Sequence, residues 1–588
     1  MQTITKHPNG DKLKVSAEAR KGLETWLNQE IEDCFAARSN LEQQWQENLR
    51  LYEGEPKRPV RNEIIENAPN VEVNISAIAV DSIYSQVIDL IYSISPLVTV
   101  RAVQGKPPIW IEIAKSVQQF VNWVATNEAR IRAPSENSIL DCVQMGTMAY
   151  YIPWTEKIKK NDVQKVVDSG PAVISIPCED ILVPGGAFDD PQKTRWLGLR
   201  FYYTQSELDA YVARGKWRIK GVKPAGALDW VRQKREQLGR TNSNMKSGQS
   251  RAARYEIMMV WCEYDIDGDG IDEDLLVIYD RNSRKILKEQ YNPYDNRPIE
   301  VGRYQLRAHL FYGISVPEMM GQFQNQISDT WNYWTLNMIL ANARFVVTKT
   351  GTFPADQKMW PNKNLEVDDI NDIKFEQMGN VYSSGPQSIN MGIGLAERRV
   401  GLNDLTSTKP SAVMGSRTPG ITALTMVQQV NKRFTAAFDS MRMATAGAVR
   451  QCMFRYKEQL LKGNKKIEQH IMDVIGEEDG ARVIAALREP DLEESIHIEL
   501  TASSASINKE ADRQNAIMLT NLLGTYYQKV LELTSIAANP QTPEAVRKVA
   551  IDIATKAGEI IDRTVRTFDS IRDPSTFTIE IEDVLNSS

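Results

Sequence analysis

Residues 312–337 read YGISVPEMMGQFQNQISDTWNYWTLN. With the residues that follow, this stretch predicts one long helix over 317–344. Trp331, Trp334, Leu336, Met338, Ile339 and Leu340 put apolar side chains on more than one of its faces. A surface helix shows a single apolar stripe, so this helix packs on several sides. Two readings stay open: burial inside one chain, or packing between neighbouring copies. Downstream, 345–395 is polar, punctuated by Pro and Gly, and reads as β-rich. A short helix is expected near 396–404. The loop TSTKPSAVMGSRTPG follows at 406–420. An unbroken helix is then expected over 421–461, with Ala423, Val427, Val430, Phe434, Phe438, Met441, Thr445 and Ala448 down one face.

Upstream, residues 17–53 repeat Leu23, Leu27, Ile31, Cys34, Arg38, Leu41, Trp45, Leu49 and Tyr52 at three- and four-residue steps. This predicts one amphipathic helix, stopped by Gly54 and Pro56. A second helix is expected over 76–94, with Ile78, Ile83, Val87, Leu90 and Ile94 as its apolar face. Asp81, Gln86, Asp89 and Pro96 interrupt the apolar run 75–100, which reads as a buried helix and not a membrane span. Helices are expected over 107–130 and 135–150, leading into a strand-like YYIPW at 150–154. The phrases VQKVV, AVISIP, DILVPGG and WLGLRFYY within 163–203 read as short strands. EIMMVWCEYDI (256–266) and EDLLVIYD (273–280), joined by DGDGID, form a hairpin signal. The stretch 234–254 has almost no apolar side chains and reads as a surface loop. A strand is expected near 496–500 and helices over 509–570. The fold class is α+β, mainly helical.

Composition narrows the function. The 588 residues carry 70 basic and 76 acidic side chains, a net charge of −6. Proteins that wrap duplex DNA present a basic face, so any DNA contact here is expected to be loose. Cys34, Cys142, Cys178, Cys262 and Cys452 show no metal or redox spacing, which points to a reduced intracellular setting for assembly. The N-terminal MQTITKHPNGDKLKVS has no apolar signal core. There is no GxxxxGK[ST], HExxH or GxSxG motif, and His7, His309, His470 and His497 are scattered. Catalysis by nucleophile or metal needs such groups clustered, so no catalytic residue and no cofactor is assigned.

One run resembles a cation loop. Asp265, Asp267 and Asp269 alternate before Gly270, but Leu276 stands where a calcium loop places its bidentate glutamate. The reading is a hairpin turn with solvated aspartates, and no metal is assigned. Basic clusters at 216–223 and 234–254 read either as solvated surface or as contacts to nucleic acid or a partner.

The order of these phrases along nearly the whole chain is similar to that of tailed-bacteriophage portal proteins, the head-to-tail connectors. The resemblance is carried by LRLYEG (49–54), NISAIAVDSIYSQVIDLIYSISP (74–96), WLGLRF (196–201), the hairpin, residues 312–337, and TPGITALTMVQQV (418–430) entering a long helix. It implies a dodecameric ring with wing, stem, clip and crown. Residues 1–315 would be wing, 316–344 the first stem helix, 345–395 the clip and 396–405 the returning stem helix. Residues 406–420 would be a channel loop, 421–506 the long helix and wing closure, and 507–588 a helical crown. It further implies Lys409, Met414 and Arg417 facing DNA in the channel, and Trp331 and Trp334 at the subunit interface. Implied partners are further copies of the chain, major capsid and scaffolding proteins, the terminase large subunit, a tail adaptor, and double-stranded DNA passing without sequence reading. No membrane is implied, and the location would be the virion, at a capsid vertex, after assembly in the host cytoplasm. Two alternatives remain: another ring-forming head–tail adaptor, and a calcium-dependent hydrolase built on the aspartate run.

Overall fold

The computed structural model describes residues 13–500 except 14, 57–67, 93–95, 104–106, 108, 160–161, 186–189, 216, 220, 226–229, 239–253, 343, 349–368, 370, 372, 378–383, 402–419 and 490–491. It also describes six residues between 524 and 532. Met1–Leu500 is one compact unit and Thr501–Ser588 a second. The expected helices over 509–570, and with them the crown, lie outside the described residues apart from those six.

The elements follow in chain order. Helices α1 (Ala17–Ala37), α2 (Ser39–Glu53) and α3 (Ile75–Tyr92) precede strand β1 (Val98–Ala102), α4 (Ile109–Trp123) and α5 (Arg132–Met145). Strands β2 (Thr147–Tyr151), β3 (Trp154–Lys159), β4 (Asp162–Pro171), β5 (Ile174–Ile176), β6 (Ile181–Leu182) and β7 (Trp196–Thr204) come next. Helices α6 (Gln205–Ala213) and α7 (Trp230–Leu238) lead to β8 (Arg254–Tyr264), β9 (Glu273–Asp280), β10 (Lys285–Tyr291) and β11 (Ile299–Arg303). Then come α8 (Val316–Asn342), β12 (Arg344–Thr348), β13 (Ile373–Gln377), α9 (Gly385–Val400) and α10 (Gly420–Leu461). Helices α11 (Lys465–Ile475), α12 (Glu477–Arg488) and α13 (Leu492–Ser495) and strand β14 (Ile496–Leu500) close the first unit. This is a mainly helical α+β architecture.

The core is a five-stranded antiparallel sheet in the order β10-β9-β8-β7-β6. Alternation along a strand sends successive side chains to opposite faces. Met258, Val260 and Cys262 of β8 therefore meet Leu23, Leu27, Ile31 and Cys34 of α1, while Ile257 and Trp261 face Leu197, Leu199 and Phe311 on the other side. The hairpin expected at 256–280 is β8–β9, paired from Ile257↔Asp280 to Tyr264↔Glu273. A second sheet, β11-β2-β5, lies under α10. The Arg303 amide donates to the Ser440 hydroxyl at 3.0 Å, and Tyr150 and Thr445 hydroxyls meet at 3.3 Å. Phe438, Met441, Thr445 and Ala448 are buried there, as the helical spacing requires.

Several expected boundaries move. The single helix over 17–53 is two, because Arg38 leaves the helix (φ −92°, ψ 4°). Its guanidinium is buried and donates to the carbonyls of Glu179 and Ile181, at 2.9 and 3.0 Å. Buried polar groups must be paired, and that pairing fixes the break. In α3 the buried face is Ala79, Val80, Ile83, Val87, Leu90 and Ile91. Ile78, expected on it, is 72% exposed. This helix is the one described segment long and apolar enough to cross a membrane, and its buried face packs on α2, α5 and α8. The expected loop at 234–254 begins as helix α7, whose cations are paired. Arg235 reaches Asp141 at 2.8 Å and Glu179 at 2.9 Å, Arg232 reaches Asp180 at 2.8 Å, and Lys234 pairs with Glu55. Residues 239–253 lie outside the described residues. In the other basic stretch Trp217 is buried and stacks on Tyr211 at 4.0 Å, while Arg218 pairs with Glu289.

Arg200 is fully buried, with its Nε 2.8 Å from the Asp180 carboxylate. Burial raises the Asp180 and Asp141 carboxyls above their ordinary range, and Arg200 and Arg235 pull the other way. On α10, Arg455 and Glu458 form a second buried pair at 3.0 Å. Burial pushes Glu458 up to about 7, against the pull of Arg455. A carboxyl raised in the folded state favours its protonated form, so its stabilisation is full at low pH and is lost as pH rises through about 7. Thermal melts from pH 5.5 to 8 are therefore expected to show a midpoint that falls with pH. In Glu458→Gln that fall should be shallower; an unchanged slope rules the group out as its source.

Candidate assembly surface

Helix α8 is positioned by a polar stripe that sequence reading missed. Gln324, Ser328 and Asn332 recur every four residues and so share one face. Each bonds the backbone of the stretch 71–76, which runs from extended chain into the first turn of α3. The Ser76 amide donates to Gln324 at 3.0 Å and the Val73 amide to Ser328 at 3.0 Å. Asn332 both accepts from the Val71 amide (2.8 Å) and donates to its carbonyl (2.9 Å). The extended segment 71–74 thus satisfies part of its main chain on a helix instead of a strand, and Gln324 takes a leading amide of α3.

The second partner of α8 is α9, which runs antiparallel to it. Gly385 lies against Trp334 and Gly392 against Ile327. A Cβ at either position would come within 2.9 Å of those side chains, so glycine sets how closely the helices approach. The expected helix near 396–404 is in fact this longer one. Pro386 stands in its first turn, Arg398 and Arg399 in its last, and Gly401 ends it at φ 85°. Proline at the start, cations near the carboxyl end and a left-handed glycine cap all favour that placement. Beyond the pair, β12 and β13 form a two-stranded antiparallel ribbon, Arg344↔Gln377 to Thr348↔Ile373.

Burial along α8 stops at Asn332. From there to Asn342 every residue is partly or fully exposed. Trp331 is 37% exposed, Tyr333 51% and Ile339 53%, and Met338 is also exposed. On α9, Met391 and Leu395 are exposed too. Exposed apolar side chains, spread over more than one face of the end of α8 and on α9, are what an interaction surface would be built from. Of the two tryptophans singled out from the sequence, Trp331 stands on this surface. Trp334 is half-buried and packs on Gly385 within the chain, with its ring centroid 5.5 Å from that of Trp331. Tyr333, Met391 and Leu395 were not singled out; their signal was the continuation of apolar residues past the buried stretch. Lys409, Met414 and Arg417 lie outside the described residues.

The aspartate run forms the β8–β9 turn. Carboxylate oxygens of Asp265, Asp267, Asp269 and Glu273 lie within 4.8 Å of one another. The turn's own amides use them: Gly268 and Gly270 donate to Asp265 at 2.6 and 2.9 Å, Ile271 to Asp269 at 2.8 Å, and Ile266 to Glu273 at 2.9 Å. Gly268 and Gly270 have φ of 82° and 87°. Leu276 is buried in the core and supplies no oxygen. We expect calcium titrated calorimetrically to bind no tighter than the ~1 mM of weak sites. Micromolar binding would make this turn a cation site.

Comparison with known families places the chain among phage portal proteins, which are structural components of the virion's head–tail connector assembly. The matching model is that of the phage SU10 portal protein, over residues 160–559, and the chain belongs to this family. No curated protein matches it.

Proposed function

We propose that the chain forms a closed ring at one capsid vertex, through which double-stranded DNA is packaged, held and ejected. The observation that carries this is the α8–α9 pair, whose buried length gives way to an exposed apolar surface ending in the β12–β13 ribbon. Such a pair suits a stem, each copy covering the exposed face of the next, with the ribbon as the clip. The returning stem helix then corresponds to Gly385–Val400, and the clip to the residues between it and α8. Residues 1–315 would be wing, 406–420 the channel loop, 421–506 the long helix and wing closure, and 507–588 the crown.

Cyclic closure suits a hub that must pass one duplex, since a heterologous interface either closes into a ring or grows a filament. The net charge of −6 suits a channel that lets DNA slide, because each phosphate contact adds salt-dependent affinity. The partners would be major capsid and scaffolding proteins in the shell, the terminase large subunit during filling, and a tail adaptor afterwards. Assembly would take place in the host cytoplasm. Native mass spectrometry tests the ring. Twelve copies of 66.5 kDa give roughly 0.8 MDa; a monomer or dimer at assembly concentration contradicts the proposal.

A further inference from the structure

Helix α7 is joined to its unit by charge more than by apolar burial. Among its described side chains, 231–235, only Val231 is buried, in a cluster with Trp45, Met145 and Cys178. Toward α2 lies a polar hollow of about 350 Å³, lined by Gln43, Gln46, Glu47, Arg50, Gln233 and Lys234. The hold on α7 comes from the ion pairs of Arg232 with Asp180, of Lys234 with Glu55, and of Arg235 with Asp141 and Glu179. Arg232 also lies over the Tyr202 ring, 4.3 Å from its centroid. Arg232, Lys234 and Arg235 keep 27, 20 and 29% of their side chains exposed, so dissolved ions reach these pairs.

The acids beneath α7 are held from the other side. Arg38, at the joint of α1 and α2, donates to the carbonyls of Glu179 and Ile181 at 2.9 and 3.0 Å. Arg200, on β7, donates to the Glu179 carbonyl at 3.1 Å and to the Asp180 carboxylate at 2.8 Å. Both arginines are buried. The turn 178–180 therefore keeps its shape without α7, and Asp180 keeps a cation. Asp141 belongs to α5, which packs on α3 and β2. Lifting α7 would bare the Asp141 and Glu179 carboxyls to water and leave the sheet's own contacts whole. Segments with few buried apolar contacts open locally at lower cost than the core they rest on.

We propose that α7 is a releasable strap: it opens as a unit over Asp141, Glu179 and Asp180 while the β8-centred sheet stays folded, and ionic strength sets how often it opens. None of these residues belongs to the α8–α9 surface, so failure of the strap leaves the ring proposal standing.

Native-state hydrogen exchange on the full chain, read by mass spectrometry, tests it. The first four amides of a helix have no partner within it, so the amides of 234–238 report opening. They should exchange at least about tenfold faster than those of β8. Raising salt from about 0.1 to 1 M shortens the reach of charge from about 10 to 3 Å. Exchange at 234–238 should then quicken roughly tenfold, the summed effect of several screened pairs, with β8 changed less than about twofold. This arm needs no variant. Arg235→Gln should speed exchange at 234–238 at low salt and flatten its salt response, leaving β8 protected. Val231→Ala, which trims the apolar anchor and keeps every pair, should speed exchange and retain the full salt response. Amides of 234–238 that exchange in step with β8 or ignore salt overturn the proposal. So does Arg235→Gln exposing β8 as much as α7.

Discussion

Ile339→Glu is expected to abolish ring formation while leaving the protomer folded. Ile339 is 53% exposed within one chain, so a glutamate there meets water and no core contact is lost. In the proposed ring the same position is covered by the next copy. Burying an unpaired carboxylate costs several kcal/mol, and the cost recurs at every interface of a closed ring. Light scattering should find monomers or short open oligomers, and the melting midpoint of the dissociated protomer should stay within a few degrees of wild type. Trp331→Glu is expected to do the same. Trp334→Glu is expected to harm the protomer as well, because Trp334 packs on Gly385. Rings formed as readily by Ile339→Glu as by wild type would remove α8 from the interface.

The second large effect is expected from the loop 406–420. Deleting residues 411–416 should leave folding and ring assembly intact, since loop changes are tolerated where the flanking helices hold the fold. DNA retention should fail. In the proposed channel Lys409 and Arg417 repeat once per copy, giving two rings of positive charge beside the passing phosphates. Their reach is about 8 Å at physiological salt, and they carry no base information. Heads carrying the deletion should fill incompletely or leak, as measured by packaged DNA length. Full-length, stably held DNA would show that the loop does not contact the genome.

The parts of the fold legible in the sequence are those whose physics is periodic and local. Helix α10 matched its expected span because one apolar face repeats through Phe438, Met441, Thr445 and Ala448. The β8–β9 hairpin was legible because Met258, Val260 and Cys262 alternate with Ile257 and Trp261 around a turn rich in Gly and Asp. What escaped depends on tertiary partners. Arg38 sits in step with the apolar stripe of α1, and only the carbonyls of Glu179 and Ile181 explain why the helix breaks there. Glycines 385, 392 and 394 and Pro386 belong to the stretch 345–395 that reads as β-rich in the sequence, yet two of those glycines are where α9 closes on α8. Helix α7 is highly charged, and its order comes from acids on other elements, Asp141, Glu179 and Asp180. The stripe Gln324, Ser328 and Asn332 gave no signal, because amide and hydroxyl side chains that bond a neighbouring main chain look like surface residues.

The candidate surface was half legible. The apolar excess at the end of α8 showed in Trp331, Met338 and Ile339. Trp334 belongs to the same run, and its packing against α9 could be seen only once Gly385 was brought to it.

A cryo-electron microscopy reconstruction of the purified protein tests the central claim most directly. The account predicts a closed ring of cyclic symmetry with a central hole wide enough for duplex DNA, and α8–α9 pairs packed side by side through Trp331, Tyr333 and Ile339. A monomer, an open filament, or a ring that leaves these residues facing solvent would contradict it.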